Sequence, residues 1–300
     1  MFGEGAIVVA LDEEGRAIDA FHEAISLGGA MEQPVHAIHV VDTGGFFSVL
    51  GALNLKEELL PKLATQVRKW AEESLPEGAR PPELEVLLGH PIQVLLQRAA
   101  SLDASMIVVG GHASRLLRGS SLGTTARRLV RASDRPVLVR REARTGGPIL
   151  VPVDLSDESI TALELGARMA NLRGVPLLTL NVQPSTDFTW MGGADVRTTL
   201  IEHQTQQVEA YQEMVKRVIG EGAEVLVDRG DPRSLIAQHA KARGVDLIVM
   251  GTHGRTGLAR WSLGSVTEHL LSHTDCSVLA IKKSDRGFLM DTWPEGDLEP

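Results

Sequence analysis

The sequence predicts an α/β protein of two Rossmann-like domains, each an open five-stranded parallel sheet with helices on both faces. Three observations carry that expectation. The 300-residue chain is written twice at a near-constant offset. Strand-length apolar runs alternate with stretches of helical period, the pattern of a parallel sheet covered on both faces. Glycines and acids fall at the ends of the apolar runs, where open parallel sheets bind ligands.

The duplication is anchored independently at several places. "AIVVALDEE" (6–14) resembles "PILVPVDLSDES" (148–159), with Asp12 against Asp154 at an offset of 142. "LEVLLGHP" (84–91) resembles "AEVLVDRGDP" (223–232), with Gly89 against Gly230 at 141. "MIVVGGHASRLLRGSSLGT" (106–124) resembles "LIVMGTHGRTGLARWSLGS" (247–265), with Gly110 against Gly251 and Gly123 against Gly264, again at 141. "RREARTGGP" (140–148) is charged and ends in Gly and Pro, which suits a linker. The expected division is a first domain at 1–143, a second at 147–283 and a tail at 284–300.

The second half shows the elements in order. "ILVPV" is a β-branched strand, and "SDESITALELGARMANLRG" is a helix with Leu163, Ala167 and Ala170 on one face and a stop at Gly174. A strand "PLLTLNV" follows, then a helix around Val208, Tyr211, Val215 and Val218, then a strand "AEVLV". Asp231 and Pro232 suit an N-cap and the first position of the next helix. The strand "DLIVMG", a glycine loop, the helix "SVTEHLLSH" and the strand "SVLAIK" complete the unit.

The glycine loop is where chemistry is expected. Gly251 lets the chain turn off its strand, Gly254 permits positive φ or close approach of a ligand, and Gly264 with Ser265 opens a helix. Backbone N–H groups at a helix start, together with the helix dipole, form an anion site suited to phosphate. A second reading uses the same residues. Ser265 with Glu268 is the S-x-x-E spacing of a capping box, which satisfies a helix start without a ligand.

Composition excludes other classes. A net charge of -9 argues against a general nucleic-acid or anionic-membrane surface. The apolar runs fall far short of the roughly 20 residues of a spanning helix. The acidic N-terminus does not read as an export signal, and the single Cys276 fits a reducing cytoplasm.

G-x-x-G, nine residues and then G-[ST], after an apolar strand in a domain that begins "ILVPVD", resembles the universal stress protein family. The likeness covers both halves. It implies ATP as ligand, with magnesium arriving alongside the nucleotide, and two halves packed as a built-in dimer. It places Asp154 beside the adenosine, Val182 backbone at the adenine, and Gly251, Gly254, Gly264 and Ser265 around ribose and phosphates; Arg255 and Val266, next to these in the chain, are counted with the candidate site. In the first half the counterparts are Asp12, Val40, Gly110, Gly123 and Thr124. Ala113 replaces Gly254 there; if the position needs positive φ, alanine costs roughly 1 to 2 kcal/mol, so this site is expected to be weaker. Arg127 and Arg128 follow Thr124 and suit a helix start only with an anion nearby.

The remaining candidates have plain alternatives. His269 and His273 share a helix face, as zinc pairs do, but no third ligand is evident. His112, His253, Arg255 and Arg260 could reach phosphate or be surface residues, and Cys276 reads as a small buried residue. Stretches 44–60 and 185–200 read as lids or contact surfaces. The expected function is an ATP-binding regulatory module of the stress response, cytoplasmic and homo-oligomeric, with pairing between chains through edge strands such as "SVLAIK". The alternatives are a slow ATPase or autophosphorylating enzyme using Ser265 or Thr252, and a nucleotide-free dimerising scaffold.

Overall fold

The computed structural model describes residues 5–12, 17–42, 56–111, 123–141, 146–183, 185, 194–252 and 263–282. The first half runs β1 (Ile7–Leu11), α1 (Ile18–Ala30), β2 (Val35–Asp42), α2 (Lys56–Glu73), β3 (Glu83–Gly89), α3 (Pro91–Ser101), β4 (Met106–Gly110), α4 (Thr124–Ala132) and β5 (Val137–Arg140). The second half repeats the plan as β6 (Ile149–Pro152), α5 (Asp157–Arg173), β7 (Leu177–Gln183), α6 (Ala194–Ile219), β8 (Ala223–Arg229), α7 (Pro232–Ala242), β9 (Leu247–Gly251), α8 (Ser265–His273) and β10 (Ser277–Ile281).

The two halves share one ten-stranded sheet, ordered β3-β2-β1-β4-β5-β10-β9-β6-β7-β8. Each set of five strands is parallel, and strand order reverses between β1 and β4 and between β6 and β9. The sets meet where β10 pairs antiparallel with β5, Leu279 opposite Leu138. Those leucines are equivalent in the repeat, so a local twofold axis passes between them. The meeting corrects the expectation that "SVLAIK" is an edge open to another chain. All of β10 is buried, and its outer edge is already paired with β5.

Side-chain alternation divides the core into two layers. One holds Phe21, Ile25, Val67, Leu163, Met169, Tyr211 and Val215 under α1, α2, α5 and α6. The other holds Ile92, Leu95, Leu129, Ile236, Leu270 and Leu271 under α3, α4, α7 and α8. Helix α5 shows local sequence and packing agreeing. Ser156 accepts from Ser159 N at its start, and Gly174 ends it at φ 61°, a left-handed turn that glycine adopts without steric cost.

Arg140 and Arg141, expected in a linker, are buried at the junction instead. Arg140 reaches Glu23 at 3.4 Å and Asp246 at 3.2 Å, and Arg173 pairs with the same two acids, making a four-membered ring of charges drawn from both halves. Next to it, Arg141 Nη2 donates to Leu271 O at 2.6 Å, at the C-terminal end of α8, where carbonyls lack helical donors. Lys282, equivalent to Arg141 in the repeat, does the same for α4, donating to Arg131 O at 3.1 Å and to Ser133 O. Each half therefore caps a helix of the other.

Candidate functional site

The carboxyl ends of β6, β7 and β9 meet the starts of α7 and α8 around a cavity of about 280 Å³. Asp154, Val182, Gly251, Gly264, Ser265 and Val266 all line it. Six residues expected at the site, several of them only through the family resemblance, thus line one cavity, although they are spread over more than a hundred positions. Gly254 and Arg255 lie outside the described residues, as do Ala113, His112, His253 and Arg260.

The helix start excludes the capping-box reading of Ser265. The N-cap of α8 is Gly264, in extended conformation at φ -59° and ψ 142°, and no side chain caps the helix. Ser265 is already helical, so Ser265 and Glu268 occupy the first and fourth helical positions and the capping box does not form. The first bond back into the helix is Glu268 N to Gly264 O at 2.9 Å. The N–H groups of Ser265, Val266 and Thr267 therefore have no acceptor within the helix, and all three residues border the cavity. The loop is pinned at its neck: Gly264 N donates to Thr252 O at 2.7 Å, and Thr267 Oγ1 donates to Gly251 O at 2.9 Å. Thr252 itself is 1 % exposed and is not among the residues lining the cavity.

Opposite the helix start, Asp154 Oδ1 accepts from Ser156 N at 3.0 Å and from Ser156 Oγ at 2.6 Å. These bonds fix the carboxylate at the end of β6. Leu155 between them takes a left-handed φ of 68° and leaves its side chain 46 % exposed. Ser159 apart, the rest of the wall is apolar, including Leu180, Val182, Pro232, Ile236 and Met250. Asp231 precedes Pro232 as expected for an N-cap, but its carboxylate turns to Ser234 Oγ and Arg233 Nε, which hold it below the usual carboxylate range. Ile236, Met250, Thr267 and Ser159 were not singled out from sequence. The signal for the first of these was the recurrent Gly-x-Pro at 89–91 and 230–232, which fixes where α3 and α7 begin.

The first half places Asp12, Val40, Gly110, Gly123 and Thr124 at the corresponding ends of β1, β2 and β4 and at the start of α4. Asp12 Oδ1 accepts from Ala17 N at 3.3 Å, and α4 also begins from an extended glycine, Gly123, without a side-chain cap. His39 Nδ1 meets Leu11 O at 3.2 Å where Asn181 Nδ2 meets Val153 O at 2.7 Å, so each half ties its first strand to its second by a side chain at the same repeat position. Arg127 does not face the start of α4 alone: its Nη2 donates to Ser272 Oγ across the junction at 3.2 Å. His269 and His273 stack with ring centroids 4.2 Å apart. Burial, then His273, lowers the His269 pKa. Cys276, expected to be a small buried residue, is only partly buried, packed against the second core layer.

A sequence model of the universal stress protein family matches the chain twice, over residues 5–141 and 147–282. The chain belongs to that family, as a member carrying the unit in tandem. It is 31 % identical to a universal stress protein of Methanocaldococcus jannaschii over 140 residues, covering 45 % of this chain and 81 % of the relative. It is 29 % identical to a universal stress protein of Mycobacterium bovis over 212 residues, covering 66 % of this chain and 64 % of the relative. Among solved structures, a functionally unknown protein from Pseudomonas aeruginosa aligns at TM-score 0.67 and 20 % identity, covering 96 % of this chain and 95 % of that one. A universal stress protein from Archaeoglobus fulgidus aligns at TM-score 0.65 and 18 % identity, covering 94 % and 100 %. These likenesses establish the two-unit α/β fold. Among the described residues, no helix is long and apolar enough to cross a membrane.

Proposed function

We propose that the chain binds an adenine nucleotide, ATP, in the cavity of its second half and serves as a nucleotide-responsive regulatory module of the cytoplasmic stress response. The observation that carries this reading is the uncapped start of α8 forming one wall of a 280 Å³ cavity whose other walls are an acid and an apolar patch. The three parts suit the three parts of a nucleotide. Leu180, Val182, Ile236 and Met250 offer an apolar slot for the base, Asp154 an acceptor for ribose hydroxyls, and the N–H groups of residues 265 to 267 a seat for phosphate. The volume lies just below the range of about 300 to 1,000 Å³ usual for small-molecule sites, which suits a nucleoside whose phosphates extend onto the helix start. The chain's own groups supply binding and orientation, and magnesium accompanies the phosphates. The first half, with Asp12, Val40, Gly110, Gly123 and Thr124, is the weaker site.

Calorimetric titration of the full chain with ATP tests this. Ser265→Asp puts a carboxylate at the first position of α8, where it competes with phosphate for the same N–H groups and adds charge repulsion. Affinity for ATP is expected to fall at least about tenfold, which is 1.4 kcal/mol. Unchanged binding in that variant would remove the helix start from the site.

A further inference from the structure

We infer that Arg131, on a helix of the first half, is a positioning residue for the phosphate end of the second-half site and acts through Glu268. This deepens the nucleotide reading above and rests on it. Helices α4 and α8 cross the junction antiparallel, with Arg127 Nη2 donating to Ser272 Oγ at 3.2 Å and Arg131 Nη2 standing 3.6 Å from Glu268 Oε1. The repeat offset of 141 equates Arg127 with Glu268 and Arg131 with Ser272. The two contacts are therefore one contact seen twice about the local twofold axis, with its chemistry inverted.

The inversion matters at the helix starts. The fourth position of α4 is the cation Arg127, which favours an anion at that start. The fourth position of α8 is the anion Glu268, which opposes one. Glu268 lies three residues beyond Ser265, about 4.5 Å along the axis and well inside the Debye length of about 8 Å at physiological salt. Its charge therefore acts on any phosphate seated on Ser265, Val266 and Thr267. Arg131 cancels that charge from the other half, so each helix start ends with a cation nearby: its own in the first half, a borrowed one in the second. Arg131 is presented from a helix end that the second half itself holds, since Lys282 Nζ donates to the Arg131 carbonyl at 3.1 Å. The pair is half exposed, at 50 % for Arg131 and 42 % for Glu268, and an exposed pair contributes little to folding. Its effect is on the potential at the site.

The test titrates ATP and adenosine at low salt into full chains carrying Arg131→Ala, Arg131→Lys, Glu268→Gln, and Arg131→Ala with Glu268→Gln. All carry Thr124→Asp, which blocks the first helix start and isolates the second site. Arg131→Ala is expected to weaken ATP binding about three- to tenfold and to leave adenosine within twofold, because only the phosphates feel Glu268. Arg131→Lys keeps most of the affinity, and adding Glu268→Gln to Arg131→Ala restores it. Unchanged ATP affinity in Arg131→Ala, an equal loss with adenosine, or no rescue by Glu268→Gln would overturn the inference while leaving the nucleotide reading standing. A parent chain that binds neither ligand would overturn both.

Discussion

Leu155 holds a conformation that leucine rarely adopts, with φ 68° and its side chain in water, between the acid of the site and the N-cap of α5. A left-handed non-glycine residue costs roughly 1 to 2 kcal/mol, and asparagine tolerates the region better. Leu155→Asn is expected to raise stability by about 1 kcal/mol in urea unfolding, and a loss of stability would mean that the leucine makes a contact that outweighs its strain. Cys276 gives a pH dependence. Burial pushes its thiol up to about 11 from an ordinary value near 9. The folded state favours the neutral thiol, so its contribution is full below the unfolded value and is lost as pH rises toward 11. Between pH 9 and 11 the chain is expected to lose about 2 to 3 kcal/mol more than Cys276→Ala. Parallel stability curves for the two proteins would contradict that burial effect.

At the scale of elements, Gly166 sets how closely α5 approaches the sheet. A Cβ there would collide with Val151 Cγ2 on β6. Gly166→Ala is therefore expected to destabilise by about 1 kcal/mol, overpacking outweighing the gain in helix propensity; thermal unfolding reads the sign. Alternation and periodicity in the sequence sufficed for the strands, for Gly174 as the end of α5, and for Tyr211 and Val215 as the buried stripe of α6, because these depend on local pattern. What sits between elements was less legible. The S-x-x-E spacing at Ser265 does not say at which residue the backbone turns helical, and the structure places that turn one residue earlier than a capping box needs. "SVLAIK" reads as a strand, but its apolar pattern does not say whether its partner is another chain or the first half of this one. The site acids and glycines were visible because they recur at strand ends in both halves. Ile236 and Met250 look like any core residue until the cavity is seen.

At the scale of the molecule, the two halves are joined by a strand pair, a ring of buried charges and reciprocal helix caps. Removing Arg173 from this network leaves two buried acids, Glu23 and Asp246, sharing the single cation Arg140 in a poorly solvated place. Arg173→Met is expected to cost about 3 to 5 kcal/mol while the far-UV spectrum stays native. Because the sheet is continuous, denaturation should follow a single transition by fluorescence and circular dichroism, and two separated transitions would mean that the halves fold independently. On this shared scaffold the proposed adenine-nucleotide site lies at the ends of β6 and β9. The measurement that tests it most directly is to denature freshly purified full chain and identify any released nucleotide by chromatography and mass, with its molar ratio to chain and a follow-up titration with ATP. ATP or ADP near one per chain, or saturable uptake of about one ATP by a chain purified empty, is the result expected of a filled second site and a weak first one. No released nucleotide together with no binding in the titration would contradict it.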